Sequence, residues 1–433
     1  MDQTTCAFNN LDPYYLKSIA ELSKNSDVVS CEDIYSQTGI KLINKGTQLN
    51  QDFYKSLIQH KLAVSPIDRS LTVKGAVTPH SLARDAARLL DEEEKMARMA
   101  NALPDRLLLR NALAQIPLNA ALAFKLTLTR ETRPELYQHS IRVALISLYL
   151  GASSRLKRED LINLATAAVF HDLGELHIDP ALLDTDRQVS SQERQHIYAH
   201  PMIAYLILRE FPEYHPHISK IVLEHHERLD GSGYPRNVEG AKISLLGQIL
   251  TVAEVAGSLC GPTDQANAWA RVEVILKLNS GQFRSDLVGY LSALAQDEHI
   301  STEPEHRVVL AKIGAGLENI ASILAGWDQT CAPHHAAKPH ECLTYAHKRL
   351  ARLETGLFSA GFNPDKLDAL TKGIEEDPHS LSELGHLVSA TDWQLKDTIY
   401  EIRRRWPEFE TAPDPAALAL RHWASHAEQL LQA

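Results

Sequence analysis

The sequence predicts an all-α protein, with a small α+β module at the N-terminus and a helical extension at the C-terminus. Three observations carry this expectation. Gly and Pro number 20 each in 433 residues, below the roughly 12% combined share of average chains, which disfavours turn-rich β structure. Apolar residues recur at three- and four-residue steps through most of the chain, the period of amphipathic helices. Polar residues able to bind metal return at roughly 25–32-residue intervals in the middle of the chain, about the length of a hairpin of two average helices.

Composition sets the outer limits. Hydrophobic residues make up 44% and charged residues 23%, ordinary globular usage. The net charge of −11 disfavours nonspecific binding to DNA, RNA or an anionic membrane. The most apolar run, Leu245 to Cys260, is interrupted by Gln248 and Glu254 and falls short of the ~18 apolar residues of a membrane span. The opening MDQTTCAFNN has neither a basic nor an apolar region, unlike a secretory signal. Five widely spaced cysteines, Cys6, Cys31, Cys260, Cys331 and Cys342, make poor disulfide arithmetic. The expectation is a reduced, cytoplasmic protein. Histidine stands out, at 21 residues against 44 Lys+Arg, and its two common uses are metal ligation and proton chemistry.

Residues 1–75 read as a regulatory or adaptor module. CEDIYSQTGIKLINKGTQL sets β-branched residues around Gly39 and Gly46, a hairpin pattern, and QDFYKSLIQHKL reads as a short amphipathic helix. Residues 76–125 read as a helical linker, with one long helix from Ser81 through SLARDAARLLDEEEKMARMANAL and its DEEEK run on a solvated face. Residues 126–327 form the helical middle. The stretch GWDQTCAPHHAAKPHEC, with Pro333 and Pro339, reads as a linker; its Cys331, His334, His335, His340 and Cys342 match no common zinc spacing. In residues 343–433, Leu343, Ala346, Leu350, Leu353 and Leu357 make one apolar stripe, read as a packed terminal helix.

The middle region holds the candidate chemistry: Glu135 with His139, His171 with Asp172, His200, His225 with His226, and Glu254. The spacing puts Glu135, His139, Val143, Ile146 and Leu150 on one helical stripe, and likewise Leu164, Ala168 and His171, and Ile218, Val222 and His225. Carboxylates and imidazoles that extend apolar faces are expensive to bury unless paired or bound to a cation. Adjacent His171 and Asp172 diverge by about 100° on a helix and so could serve two ions, with the aspartate bridging. Imidazole and carboxylate donors without thiolate suit Fe, Mn or Zn. A single histidine is more often a satisfied core or surface residue; two histidine-containing doublets at matched spacing favour ligation. The string EHHERLDGSGYPRN, Glu224 to Asn237, adds a turn in which Gly231 and Gly233 permit positive φ and Pro235 ends it.

His139, the pair His171-Asp172 in HDLGELHIDPALL, His200-Pro201 and HHERLDGSGYP together resemble the HD-GYP family of metal-dependent phosphohydrolases. The resemblance covers about 200 residues, roughly Leu126 to Trp327. It implies an HD-type all-α bundle, with His139, His171, Asp172, His200, His225 and His226 as ligands to two or three Fe or Mn ions. Glu135 matches the extra carboxylate of the three-metal subgroup. The family typically hydrolyses cyclic di-GMP to linear pGpG, and in some cases on to GMP. Gly233, Tyr234 and Pro235 match the turn through which its members contact partners, including GGDEF domains.

Three positions depart from the family pattern. Glu175 stands where a lysine faces the substrate phosphate, so a cation beside an anionic substrate becomes a carboxylate or a further ligand. Glu254 replaces the closing aspartate. The R-P-Y-R segment is replaced by GPTDQANAWAR, which leaves Arg271 as the nearby phosphate contact. The expected mechanism is attack by metal-bound hydroxide on phosphorus, in line with the leaving 3′-oxygen, with Asp172 and Glu175 in the catalytic roles. Two alternatives stay open: a weakened or inactive module that binds nucleotide or protein, and a phosphohydrolase for another nucleotide. A homodimer is also left open.

Overall fold

The computed structural model describes residues 13–35, 41–49, 70–183, 191–261, 268–279, 281–295, 306–337, 340–359 and 378–432. The chain divides into two compact units. The first comprises Met1–Glu227 with Gly233–Gly261, the second Arg228–Ser232 with Pro262–Ala433. The boundaries expected at residues 75, 125 and 327 do not coincide with this division. The N-terminal segment shares a unit with the ligand-bearing helices, and residues 262–327 share one with the C-terminal helices.

In the first unit, α1 (Pro13–Asn25) buries Tyr15, Leu16, Ile19 and Leu22. Strands β1 (Val28–Ser30) and β4 (Leu71–Val73) pair antiparallel, with Val28 opposite Val73. The expected hairpin is present as β2 (Ile34–Tyr35) against β3 (Lys41–Ile43). The amphipathic helix expected over 51–62 lies outside the described residues. Helix α2 (Pro79–Glu92) starts in a capping box between Thr78 and Ser81, which satisfies two helix-end donors.

The long helix expected from Ser81 is two helices, α2 and α3 (Glu94–Asn101), separated at Glu93, whose backbone is extended (φ −103°, ψ 108°). The DEEEK run is correspondingly split. Asp91, Glu92 and Glu94 are exposed as expected, but Glu93 accepts from the buried Arg142 guanidinium at 2.8 Å. The Lys95 ammonium lies 3.8 Å from the same carboxylate and donates to the Gly261 carbonyl at 2.6 Å. A buried guanidinium needs a partner more than an exposed helix needs one more turn.

The remaining helices are α4 (Leu108–Leu113), α5 (Ala120–Thr132), α6 (Pro134–Ser153), α7 (Arg158–Phe170), α8 (Ser191–Ile197), α9 (His200–Arg209), α10 (Pro216–Glu224) and α11 (Leu245–Leu259), with 3₁₀ turns at Leu173–His177 and Pro180–Leu182. Helix α1 packs on α5 and on the Leu173–His177 turn. Helix α6 packs between α7 and α11, and α10 lies against α7, α9 and α11. Val143, Leu145, Ile146, Leu148 and Leu150 of α6 are all fully buried; a helix apolar on all sides belongs to a core. A Cβ on Gly257 of α11 would lie 2.6 Å from the Val143 side chain, so glycine is what lets α11 approach α6 this closely.

In the second unit, α12 (Ala268–Leu278), α13 (Ser285–Ala295), α14 (His306–Thr330), α15 (Ala332–Ala337), α16 (Glu341–Ser359), α17 (Pro378–Arg405) and α18 (Pro415–Gln432) follow one another. Helix α17 packs on α12, α14 and α16. The stretch read as a linker is instead mostly helical: α14 runs on to Thr330 and α15 follows at once. Buried Cys331 and Cys342 and the stacking of His335 on His347 at 4.6 Å make it a packed corner. The stripe from Leu343 to Leu357 is buried along α16, as expected. Among the described residues, no helix is long and apolar enough to cross a membrane.

Replacing Arg142 by leucine leaves the part-buried Glu93 carboxylate with the longer 3.8 Å contact to Lys95. The expected loss is about 3 kcal/mol of unfolding free energy, read as a lower urea midpoint at unchanged m-value.

Candidate metal centre

Two groups of donors meet in the first unit. In the first group, His139 sits in the second turn of α6, and its Nε2 lies 3.0 Å from Glu254 Oε2 on α11. His171 closes the C-terminus of α7, followed by Asp172 at the mouth of the Leu173–His177 turn. Its Nε2 lies 2.9 Å from Asp172 Oδ2 and 3.0 Å from Glu254 Oε2. One potential ligand atom from each of His139, His171, Asp172 and Glu254 falls within 4.8 Å of the others.

The second group is His200, His225 and His226, gathered within the same limit. His200 opens α9 and His225 closes α10, so helix ends rather than helix middles supply these rings.

Backbone carbonyls set the orientation of three rings. The Nδ1 of His171 faces the Ala168 carbonyl at 2.7 Å, that of His200 the Ile197 carbonyl at 2.7 Å, and that of His225 the Val222 carbonyl at 2.6 Å. A carbonyl only accepts, so each Nδ1 carries a proton and each Nε2 is the atom turned inward. His171 Nε2 is buried without a well-formed hydrogen bond. The Nε2 atoms of His200 and His225 face each other at 3.0 Å. Burial lowers the pKa of both, that of His225 to about 3, so both rings are neutral and lone pair confronts lone pair. A divalent cation is the partner such an arrangement lacks, and the donor set fits one.

Asp172 joins the two groups. Oδ2 faces His171 at 2.9 Å and His139 at 3.7 Å, while Oδ1 faces His200 at 3.4 Å and His225 at 3.6 Å. Burial pushes the Asp172 carboxyl upward, but His171 and His200 outweigh it and hold it well below the usual range. Burial likewise opposes ionisation of Glu254, and His139 and His171 overcome it. In the metal-free chain burial disfavours a charged His171, yet Asp172 and Glu254 raise its pKa well above the ordinary value. Gly174 brings the halves together: a Cβ there would lie 2.1 Å from the His200 carbonyl oxygen.

Seven residues singled out in the sequence fall in these two donor groups: His139, His171, Asp172, His200, His225, His226 and Glu254. Glu135 differs. It is exposed in the first turn of α6 and belongs to neither donor group, because the buried stripe ends one turn later than periodicity suggested. Glu175 is partly accessible and has its carbonyl held by Arg133 Nη1 at 2.7 Å. Burial and the nearby Asp172 push its carboxyl up to about 8. Arg271 lies on α12 in the second unit.

Gly233, Tyr234 and Pro235 follow the second donor group after the six residues 227–232. The Tyr234 ring stacks on His226 at 4.5 Å and 23°, and Tyr198 lies on it at 4.0 Å. Sequence reasoning missed this support, and also the role of Glu227. That buried carboxylate accepts from the backbone N–H of Arg236 at 2.9 Å and of Val238 at 3.1 Å, which pins the chain leaving the turn. The one available signal was the position of Glu227 immediately after two histidines.

Residues 126–280 match the HD domain family. The chain is 34% identical over 121 residues to a 3′3′-cGAMP-specific phosphodiesterase of Vibrio cholerae, covering 28% of this chain and 26% of the relative. It is 24% identical over 142 residues to a cyclic di-GMP phosphodiesterase of Pseudomonas aeruginosa, covering 33% and 34%. It is 31% identical over 126 residues to a cyclic di-GMP phosphodiesterase response regulator of Xanthomonas campestris pv. campestris, covering 29% and 32%. The chain thus spans about a quarter to a third of the length of these curated relatives.

A Gly174→Ala substitution is expected to push the Asp172 turn off His200 and reduce bound metal, measured by elemental analysis of the folded protein. Because His171 holds a proton that a cation must replace, Mn(II) binding near neutral pH is expected to release protons. Calorimetry in two buffers of different ionisation enthalpy reads that release directly.

Proposed function

Starting from an HD domain with a bridged donor set, we propose that the chain is a metal-dependent phosphodiesterase that opens a cyclic dinucleotide. Cyclic di-GMP is the first substrate to test and 3′3′-cGAMP the second, with the linear dinucleotide as product. The observation that carries this reading is Asp172, whose two oxygens face two separate histidine groups, the arrangement of a two-metal site for in-line displacement at phosphorus. The names of the relatives point to the same substrate class.

Bound divalent ions, iron, manganese or zinc by the chemistry of this donor set, would supply Lewis acidity toward the phosphoryl oxygens. The chain's own residues do the rest. Asp172 spans both groups and fixes their separation. The carbonyl-anchored rings of His171, His200 and His225 keep their Nε2 atoms aimed at the two donor groups without reorganisation. Glu175 sits beside these groups, where burial and the nearby Asp172 push its carboxyl up to about 8. Local charge at the centre, and not the global −11, governs attraction of the substrate. A GGDEF-type partner at Gly233–Pro235 belongs to the same proposal. It would meet the edge of the turn, since Tyr234 is committed to His226.

The test is chromatographic product analysis with Mn(II) or Fe(II) and each cyclic dinucleotide. The expected result is a linear dinucleotide, with turnover lowered more than about 100-fold by Asp172→Asn, beyond the loss usual for outer-shell changes. Measurable nucleotide binding with no product from either metal would overturn the proposal in favour of a binding module. Restoring a cation through Glu175→Lys is expected to lower KM by about tenfold, the worth of one charge-assisted contact. Loss of turnover instead would make Glu175 a working part of the site.

A further inference from the structure

The segment Arg228–Ser232 leaves the first unit and is part of the second. Four contacts among the described residues hold this segment there. Leu229 N–H donates to the Gln282 carbonyl at 3.0 Å, and the Arg228 guanidinium lies over the Phe283 ring at 5.1 Å. Arg405, the last residue of α17, donates to the Gly231 carbonyl at 3.0 Å. Arg352 of α16 donates to Asp230 Oδ2 at 2.7 Å. The Asp230 side chain is only 4% exposed, and it divides its oxygens between two tasks. Oδ1 accepts from the Ser232 N–H at 3.0 Å and shapes the turn, while Oδ2 anchors it to Arg352. All four anchoring residues lie beyond the 126–280 HD match.

The base of this loop is the second donor group. One end runs through Glu227 into His226. The other runs through Gly233 into Tyr234, whose N–H donates to the His226 carbonyl at 3.1 Å and whose ring stacks on that imidazole. A loop pinned at its tip holds its base, because only one residue separates Arg228 from His226 and one separates Ser232 from Tyr234.

We propose that Arg352 and Arg405 are positioning residues for the His200–His225–His226 group. Acting through Asp230 and Gly231, they make cation binding at that group depend on the C-terminal helices. Neither arginine touches a donor. Their effect is to keep Tyr234, and through it the His226 ring, in one orientation, as partners of a ligand generally do. This inference rests on the two-metal reading of the donors but not on turnover.

The experiment uses the full-length chain with Mn(II), titrated by calorimetry and followed by electron paramagnetic resonance. Arg352→Ala and Asp230→Asn, which spares the Oδ1 contact to Ser232, are expected to weaken one Mn(II) site by about 10-fold or more. They should leave the other site unchanged and reduce the exchange-coupled signal of the pair. Arg352→Lys is expected to recover part of the loss. Arg352 is 54% exposed, so these variants should fold, and a thermal scan checks that they do. Wild-type titration curves in all variants would overturn the proposal. A shifted titration together with no hydrolysis of either cyclic dinucleotide by wild type would sustain it while overturning the phosphodiesterase reading.

Discussion

Three histidines are oriented by a backbone carbonyl three residues earlier, and the rest of the centre depends on that bond. His171, His200 and His225 each sit at a helix boundary, where the local turn brings Nδ1 within 2.6–2.7 Å of an oxygen. The bond selects the tautomer, and the tautomer aims Nε2 at a common volume. Rotating one ring would cost that hydrogen bond and leave a buried carbonyl unpaired. The imidazoles are therefore committed before any cation arrives.

Such preorganisation is expensive without a cation, and the surrounding chain shows where the offsets lie. Asp172 and Glu254 stay ionised against their own burial because His139, His171 and His200 surround them. Helices α6 and α11 approach closely at Gly257, and the Asp172 turn approaches α9 at Gly174. Both contacts shorten the span across the donors. Away from the centre, the Glu93–Arg142–Lys95 cluster ties α3 to α6 and to the end of α11, so helices that carry ligands are also fixed at a distance from them.

Particular residues show where sequence was legible. Seven donors could be read because each extends an apolar stripe or sits in a specific string, and burying a carboxylate or imidazole demands a compensating partner. Glu135 misled because i,i+4 spacing places a residue on a face without saying where the buried part of that face ends. The helix from Ser81 was read through Glu93 because no local breaker occurs there, and its interruption coincides with the reach of Glu93 to Arg142, 49 residues away. Pro333 and Pro339 suggested a linker, yet proline is tolerated in the first turn of a helix, and α15 begins at Ala332.

By itself, the sequence determined that the protein is mostly helical, and that residues 126–327 carry a set of side chains able to bind metal at hairpin-length spacing. Helical period and ligand spacing are local properties, and local sterics decide them. Only the tertiary structure decided that Asp172 faces two groups, that Tyr234 supports His226, and that Arg228–Ser232 is held by helices more than 100 residues further along. Those pairings join positions remote in the chain, where no period or spacing relates the partners and burial alone selects them.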